Sequence, residues 1–214
     1  MYGGPHIMKT SGLMAAIASA GARTLAAALA LLLLVPVSQA TASAPAGVHG
    51  LLDKSAPDFQ LVDQHGKDFI LSTERGRAVV LFFGYTHCPD ICPTTLATIA
   101  AAMRRLGPQA PDRIQVAFVT DDPKRDTPQT LGRFTSLFDP SFLGLSGTDA
   151  QMSRVYKAYH VWFQRLPNPG SAAGYLLAHS SIIYMIDRGG TLRFVHDWRD
   201  PLPSIQNDLK ELMT

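Results

Sequence analysis

Carboxylates are missing from the first fifty positions of this 214-residue chain, where Asp53 is the earliest acidic residue. Cations are nearly missing too: Lys9 and Arg23 stand alone, and the apolar run Leu25 to Val37 follows them. A basic start, an apolar stretch of roughly 7–15 residues and a small-residue boundary describe a secretory signal. The boundary candidates are Ser38-Gln39-Ala40 and Ala40-Thr41-Ala42. The run itself is shorter than the ~20 apolar residues that span a bilayer, so a cleaved signal is the preferred expectation. An anchor over residues 13–37, with Arg23 at the interface, is the alternative. Either one puts the folded part outside the cytoplasm, in a periplasm or on the outer face of an inner membrane. No cysteine lies near the boundary, which excludes a lipid-anchored cysteine.

Charge of one sign is also lacking in the body. Of the 19 cations, two belong to the leader, and the rest balance the 17 carboxylates. No basic stripe is interleaved with aromatics, so nucleic-acid binding is excluded as a function class. Cysteine is scarcest of all, with only Cys88 and Cys92. Two thiols rule out an iron–sulfur cluster held by four thiolates of one chain. A structural zinc site needs two further ligands, and no paired-histidine motif supplies them.

What is present alternates. Phe59 to Val62 and Phe69 to Leu71 flank a Gly-containing turn and predict a hairpin. Ala78 to Phe83 is an unbroken apolar run, as in a strand buried on both faces. Pro93 to Leu106 has apolar residues at helical spacing, and Ile114 to Val119 predicts a second strand. Helices are expected over Thr127 to Phe138 and, capped by Thr148, over Thr148 to Tyr159. Trp162 to Tyr175, rich in Pro and Gly, predicts a long mobile loop. Ile182 to Ile186 and Leu192 to Val195 form a second hairpin, and Pro203 to Met213 a last helix. The order predicts an α/β sandwich with a mixed sheet flanked by helices and an N-terminal hairpin. The expected organisation is a leader over 1–42, a flexible tether over 43–52 and one domain over 53–214.

Cys88 and Cys92 fall where the buried strand turns into a helix. Free N–H groups and the helix dipole there favour thiolate over thiol. Three residues between cysteines make a poor structural staple, because short loops restrain the unfolded chain least. The spacing suits a redox pair or a metal clip, and thiolates are soft ligands that select copper(I) or zinc. Copper fits the ligand supply best. Seven histidines compete for a third position. His6, His49, His65, His160 and His196 are placed in the leader, the tether, a turn, a helix end and a strand end. His87, beside Cys88, and His179, before a strand, remain, and the residues alone do not choose between them.

The segment Phe83-Gly84-Tyr85-Thr86-His87-Cys88-Pro89-Asp90-Ile91-Cys92-Pro93-Thr94-Thr95-Leu96 resembles the signature of the Sco/SenC family. Asp122 to Pro128, Gly144 to Thr148, and His179-Ser180-Ser181 with Tyr184 and Ile186-Asp187 are similar to three further family blocks. With the elements that flank them, the four blocks cover Ala56 to Val195. The resemblance implies a thioredoxin-like, copper-delivering protein that serves cytochrome c oxidase assembly. It implies copper held by Cys88, Cys92 and His179, with Asp122 near the site. The implied partners are the oxidase's copper-bearing subunit, an upstream copper donor and a thiol reductant. Asp121 departs from the family pattern, which has an apolar residue there more often.

A thiol–disulfide reductase that keeps the oxidase's copper-site cysteines reduced is the second expectation, with Cys88 and Cys92 as its redox-active thiols. A peroxiredoxin-like peroxidase is disfavoured. Its motif has Thr or Ser three residues before the reactive cysteine, where Tyr85 stands.

Overall fold

The computed structural model describes residues 49–170 and 174–214. The leader expected over 1–42 and the first part of the tether lie outside them. The described residues build ten strands: β1 (His49–Ser55), β2 (Gln60–Asp63), β3 (Asp68–Ile70), β4 (Ala78–Gly84), β5 (Ile114–Thr120), β6 (Leu143–Ser146), β7 (Phe163–Pro167), β8 (Tyr175–His179), β9 (Ile182–Ile186) and β10 (Thr191–Asp197). Eight of them form one mixed sheet in the order β1-β10-β9-β4-β5-β6-β2-β3, and β7 and β8 form a separate ribbon. Strands β4 (Ala78–Gly84) and β5 (Ile114–Thr120) pair in parallel at the centre, and every residue of both is buried. Strands covered on both faces need no polar alternation, which is why these two read as continuous apolar runs.

The pleat divides the interior into two cores. Val80, Phe82, Val116 and Phe118 face one layer, where helices α1 (Ile91–Leu106) and α5 (Leu202–Leu212) supply Leu96, Ile99, Met103, Ile205 and Leu209. Val79, Leu81, Phe83, Ala117 and Val119 face the other, against Met152 and Val155 of α4 (Asp149–Ala158). Each such large apolar side chain contributes about 1.5–3 kcal/mol on full burial. Thr148 caps α4 through a reciprocal capping box with Gln151. Thr127 caps α3 (Pro128–Ser136), which has Pro128 in its first turn. A four-residue helix, α2 (Ala110–Arg113), leads into β5. His196 of β10 (Thr191–Asp197) is buried with Asp200 at 2.9 Å and Asp208 of α5 at 2.8 Å on its two ring nitrogens, which ties α5 to the sheet.

The expected α/β sandwich is found, and so are both hairpins, the N-terminal one as β2 (Gln60–Asp63) and β3 (Asp68–Ile70). Two local expectations are corrected, and one strand is added. The described end of the tether is not loose chain, because β1 (His49–Ser55) pairs with β10 at the sheet edge. Leu143–Ser146 forms β6 between β5 and β2; a four-residue strand has too few side chains to show a period. The segment expected as a long loop is the ribbon: β7 (Phe163–Pro167) pairs antiparallel with β8 (Tyr175–His179). His179 thus ends β8, and β9 (Ile182–Ile186) begins after Ser180 and Ser181. Among the described residues no helix is long and apolar enough to cross a membrane.

The end of β4 meets the start of α1 at Gly84. A Cβ added there would lie 2.7 Å from Cys92 Sγ and 2.9 Å from Phe118 Cε2. Gly84→Ala must therefore displace the sulfur, the ring or the strand. Overpacking of this kind costs about 1–3 kcal/mol. Denaturant unfolding of the variant is expected to show that loss, with the thiol titration of Cys92 altered. Wild-type stability and an unchanged Cys92 would contradict the packing.

Candidate metal centre

Helix α1 begins at Ile91, two residues earlier than the sequence pattern predicts, so Cys92 lies in its first turn. Asp90 occupies the cap position but makes no side-chain hydrogen bond to the helix. The Cys88 sulfur takes that role in part, accepting from the Cys92 N–H at 3.5 Å. A sulfur at this point meets unpaired N–H groups and the positive end of the helix dipole. The Cys88 thiol is accordingly pulled down to about 3, chiefly by a hydrogen bond from the Cys92 thiol, with the backbone N–H groups of Asp90 and Cys92 adding to it. Burial opposes that pull. Cys92, fully buried, is pushed the other way by its burial and then by the neighbouring Cys88 sulfur. One thiolate, half-buried, and one buried thiol that donates to it share the helix start.

His179 reaches the pair from the ribbon. Its Nε2 lies 3.5 Å from Cys92 Sγ, and Tyr85 packs edge-on against its ring at 5.6 Å between centroids. Its Nδ1 is 3.2 Å from the Ser180 carbonyl. A carbonyl only accepts, so Nδ1 carries the hydrogen and the Nε2 lone pair faces the sulfurs. Histidine ligands of metals are held in this way, with the outer nitrogen donating to a carbonyl or carboxylate. The ligand atoms of Cys88, Cys92 and His179 lie within 4.8 Å of one another, and they form the one such group of three found among the described residues. Two soft sulfurs and one imidazole suit copper.

His87 stands apart from this group. It is half-exposed, with Nδ1 3.1 Å from the Thr86 hydroxyl and 3.6 Å from Asp126. Asp126 is buried and accepts from the Thr86 N–H and from the hydroxyls of Thr86 and Thr120, the hydroxyls at 2.6 Å each. That network ties the cysteine loop to the end of β5.

Asp122, expected near the site, does not touch His179. Its oxygens accept from the Tyr175 hydroxyl at 2.8 and 2.9 Å and from the Arg125 guanidinium. The carboxylate beside the imidazole is Asp121, the residue that departs from the family pattern, with Oδ2 3.3 Å from His179 Nδ1. It lies off the N–H direction, and neither of its oxygens makes a hydrogen bond. Sequence reasoning missed this contact and that of Tyr85, because both depend on how β8 lies against the ends of β4 and β5.

Comparison with known proteins follows the same lines. The SCO1/SenC family model matches residues 50–214. An SCO2-like protein of Rickettsia felis is 38% identical over 137 residues, 64% of this chain and 66% of the relative, just under two thirds of its length. Copper-bound ScoI of Bradyrhizobium japonicum is 36% identical with a TM-score of 0.66, covering 74% of this chain and 99% of that one. Copper-bound yeast Sco1 is 32% identical with a TM-score of 0.61, covering 73% and 89%.

Asp121 generates a prediction about pH. Burial, then the charges of Asp126 and Asp122, push its carboxyl well above the usual carboxylate range. A folded-state pKa above the unfolded one means that stability falls as pH rises through the unfolded value of about 4, until the folded-state pKa is passed. Asp121→Asn removes the charge at the same shape. The reduced, metal-free variant should melt above the wild type at pH 7, with the difference shrinking towards pH 4. Equal melting temperatures across that range would refute the assignment.

A mixed sheet covered on both faces, a Cys-Cys-His cluster at its central strand-to-helix junction and the ribbon, and a family match over nearly the whole described chain together establish that this protein belongs to the SCO1/SenC family.

Proposed function

We propose that this chain is a copper metallochaperone that binds copper through Cys88, Cys92 and His179 and delivers it to cytochrome c oxidase during assembly. The observation that carries the reading is the convergence of two sulfurs and the Nε2 lone pair within 4.8 Å. The copper held by the two solved relatives supports the same cargo. Cys88 is half-buried rather than sealed, so the site is open enough to pass on its metal. Copper(I) is served by the two thiolates alone, whereas copper(II) gains most from the imidazole. Oxidation of the pair to a disulfide gives up two protons and two electrons to an accepting disulfide and removes both sulfur ligands. A thiol reductant then restores them, and the copper-bearing subunit of the oxidase is the receiving partner.

A second reading is favoured by the asymmetry of the two sulfurs. A half-buried, low-pKa Cys88 and a buried, protonated Cys92 are arranged as attacking and resolving thiols. In that role Cys88 attacks a disulfide of the oxidase subunit. Cys92 then displaces the reduced target and leaves the Cys88–Cys92 disulfide behind.

Copper titration of the reduced protein, followed by thiolate-to-copper absorption, separates the readings. One copper per chain is expected, lost in Cys88→Ala or Cys92→Ala. Weaker copper(II) binding is expected in His179→Ala, by about 10–100-fold if the imidazole counts as much as the outer partners of other metal ligands do. The His179 variant should keep two titratable thiols yet fail to restore oxidase assembly in a deletion strain. Full assembly with that variant, but none with Cys88→Ala, would make the reductase role primary.

The acid-free, apolar leader supports export with the chain beginning after Ala40, Ala42 or Ala44. Mass spectrometry of the protein from cells is expected to find one of those N-termini. An intact Leu25 to Val37 in the membrane fraction would establish the anchor instead.

A further inference from the structure

His179 is the one residue of the cluster that the ribbon carries, with two residues between it and the chain's entry into the main sheet. It ends β8, and β8 hydrogen-bonds only to β7, in a ribbon separate from the eight-stranded sheet. The cysteines, by contrast, sit on α1 and the loop before it, packed against the central strands. The 3.5 Å approach of Nε2 to Cys92 Sγ therefore depends on whatever fastens ribbon to body. At the His179 end the chain itself does so, since Ile182 opens β9 of the main sheet three residues on; at the Tyr175 end no backbone ladder does, and side chains must.

Three residues concentrate that fastening. Tyr175, the first residue of β8, donates its hydroxyl to Asp122 at 2.8 and 2.9 Å to the two oxygens. Arg125 donates from Nε to the same carboxylate and from a terminal nitrogen to the Tyr175 carbonyl at 2.9 Å. Its guanidinium also lies 3.6 Å from the centre of the Tyr175 ring, with Arg165 of β7 at 4.9 Å. Asp122 is almost fully buried at the end of β5, where its own N–H donates to the Thr120 hydroxyl at 2.9 Å. The clasp thus joins a fixed point of the sheet to the start of the strand that ends in His179. A lighter contact lies between them, where Leu177 N–H donates to the Tyr85 hydroxyl at 3.2 Å.

We infer that Tyr175, Asp122 and Arg125 are positioning residues that hold His179 on the thiol pair and so decide whether the site offers two ligands or three. This rests on the copper reading for its consequence, but not for its geometry. With the clasp closed, imidazole joins the sulfurs and suits copper(II); with it open, the two thiolates remain and suit copper(I). Hydrogen bonds to a charged partner are among the stronger ones, so loss of the hydroxyl shifts this balance by about tenfold.

The test uses Tyr175→Phe, which removes the hydroxyl and keeps the ring under Arg125. In reduced, metal-free protein, iodoacetamide near pH 7 should label the Cys88 thiolate at similar rates in wild type and variant. Labelling of buried Cys92 should be about tenfold faster in the variant, because His179 no longer covers it. In the copper-loaded protein, copper(II) should leave about tenfold faster, while copper(I) release changes by less than about threefold. In a His179→Ala background, Tyr175→Phe should add nothing to copper(II) release, which a general loss of packing would not reproduce. Asp122→Asn, which keeps an acceptor for the hydroxyl but loses the charge, should fall between the two. It also serves should Tyr175→Phe fail to fold. Wild-type Cys92 labelling in both variants overturns the inference, as does an effect on copper(II) that persists without His179. A wild-type chain that takes up no copper sinks the chaperone reading, and Cys92 labelling then decides the clasp alone.

Discussion

The contact between Gly84 and Cys92 is the constraint on which the site is built. Space for a sulfur at the end of β4 exists only because residue 84 has no side chain. The sulfur fills it so closely that the first turn of α1 is held against the central strand pair. From that contact follow the direction of the helix, the exposure of its N–H groups to Cys88 and the division of labour between the thiols. A buried Cys92 keeps its proton, and a Cys88 at the helix start gives its own up. Neither state belongs to cysteine as such. Both come from where the strand stops and the helix starts.

Around this fixed pair the remaining polar groups fall into two networks with different tasks. Asp126 gathers the threonines of the cysteine loop and of β5, and so fastens the sulfur side of the site to the sheet. Asp122 gathers Tyr175 and Arg125, and so fastens the imidazole side. Asp121 belongs to neither. It is buried beside His179 without a hydrogen bond, a costly placement that an apolar residue would avoid. Three carboxylates within six positions of the chain thus differ wholly in partners, although the sequence presents them as one acidic cluster.

Much of the architecture was legible because burial leaves a period. The unbroken apolar runs of β4 and β5, the helical spacing from Leu96 to Met103 and the Thr148 cap are local signals with local causes. The cysteine pair was legible for the same reason, since its chemistry follows from a strand-to-helix junction that the flanking residues announce. The ribbon was not. Phe163–Pro167 lies almost wholly exposed, and its partner strand follows a Pro- and Gly-rich stretch. No buried face imposes a period there, and the residues read as loop. The edge strand β1 and the short β6 were obscured likewise, by the composition of the leader and by shortness.

The sequence by itself determined an α/β chain with two thiols at a helix start, and the family blocks pointed to a third ligand. The residues alone left His87 and His179 open, and only the tertiary structure shows which of them lies with the thiols. Both histidines are near a cysteine in some sense, one along the chain and the other across the fold. The adjacent His87 is drawn towards Thr86 and Asp126, while His179, 87 positions from Cys92, turns its lone pair to the sulfur. Neighbours in sequence share a backbone that limits where their side chains can point. A separate ribbon, clasped at Tyr175, is free of that limit and brings its imidazole to the sulfurs from the opposite side of the chain's path.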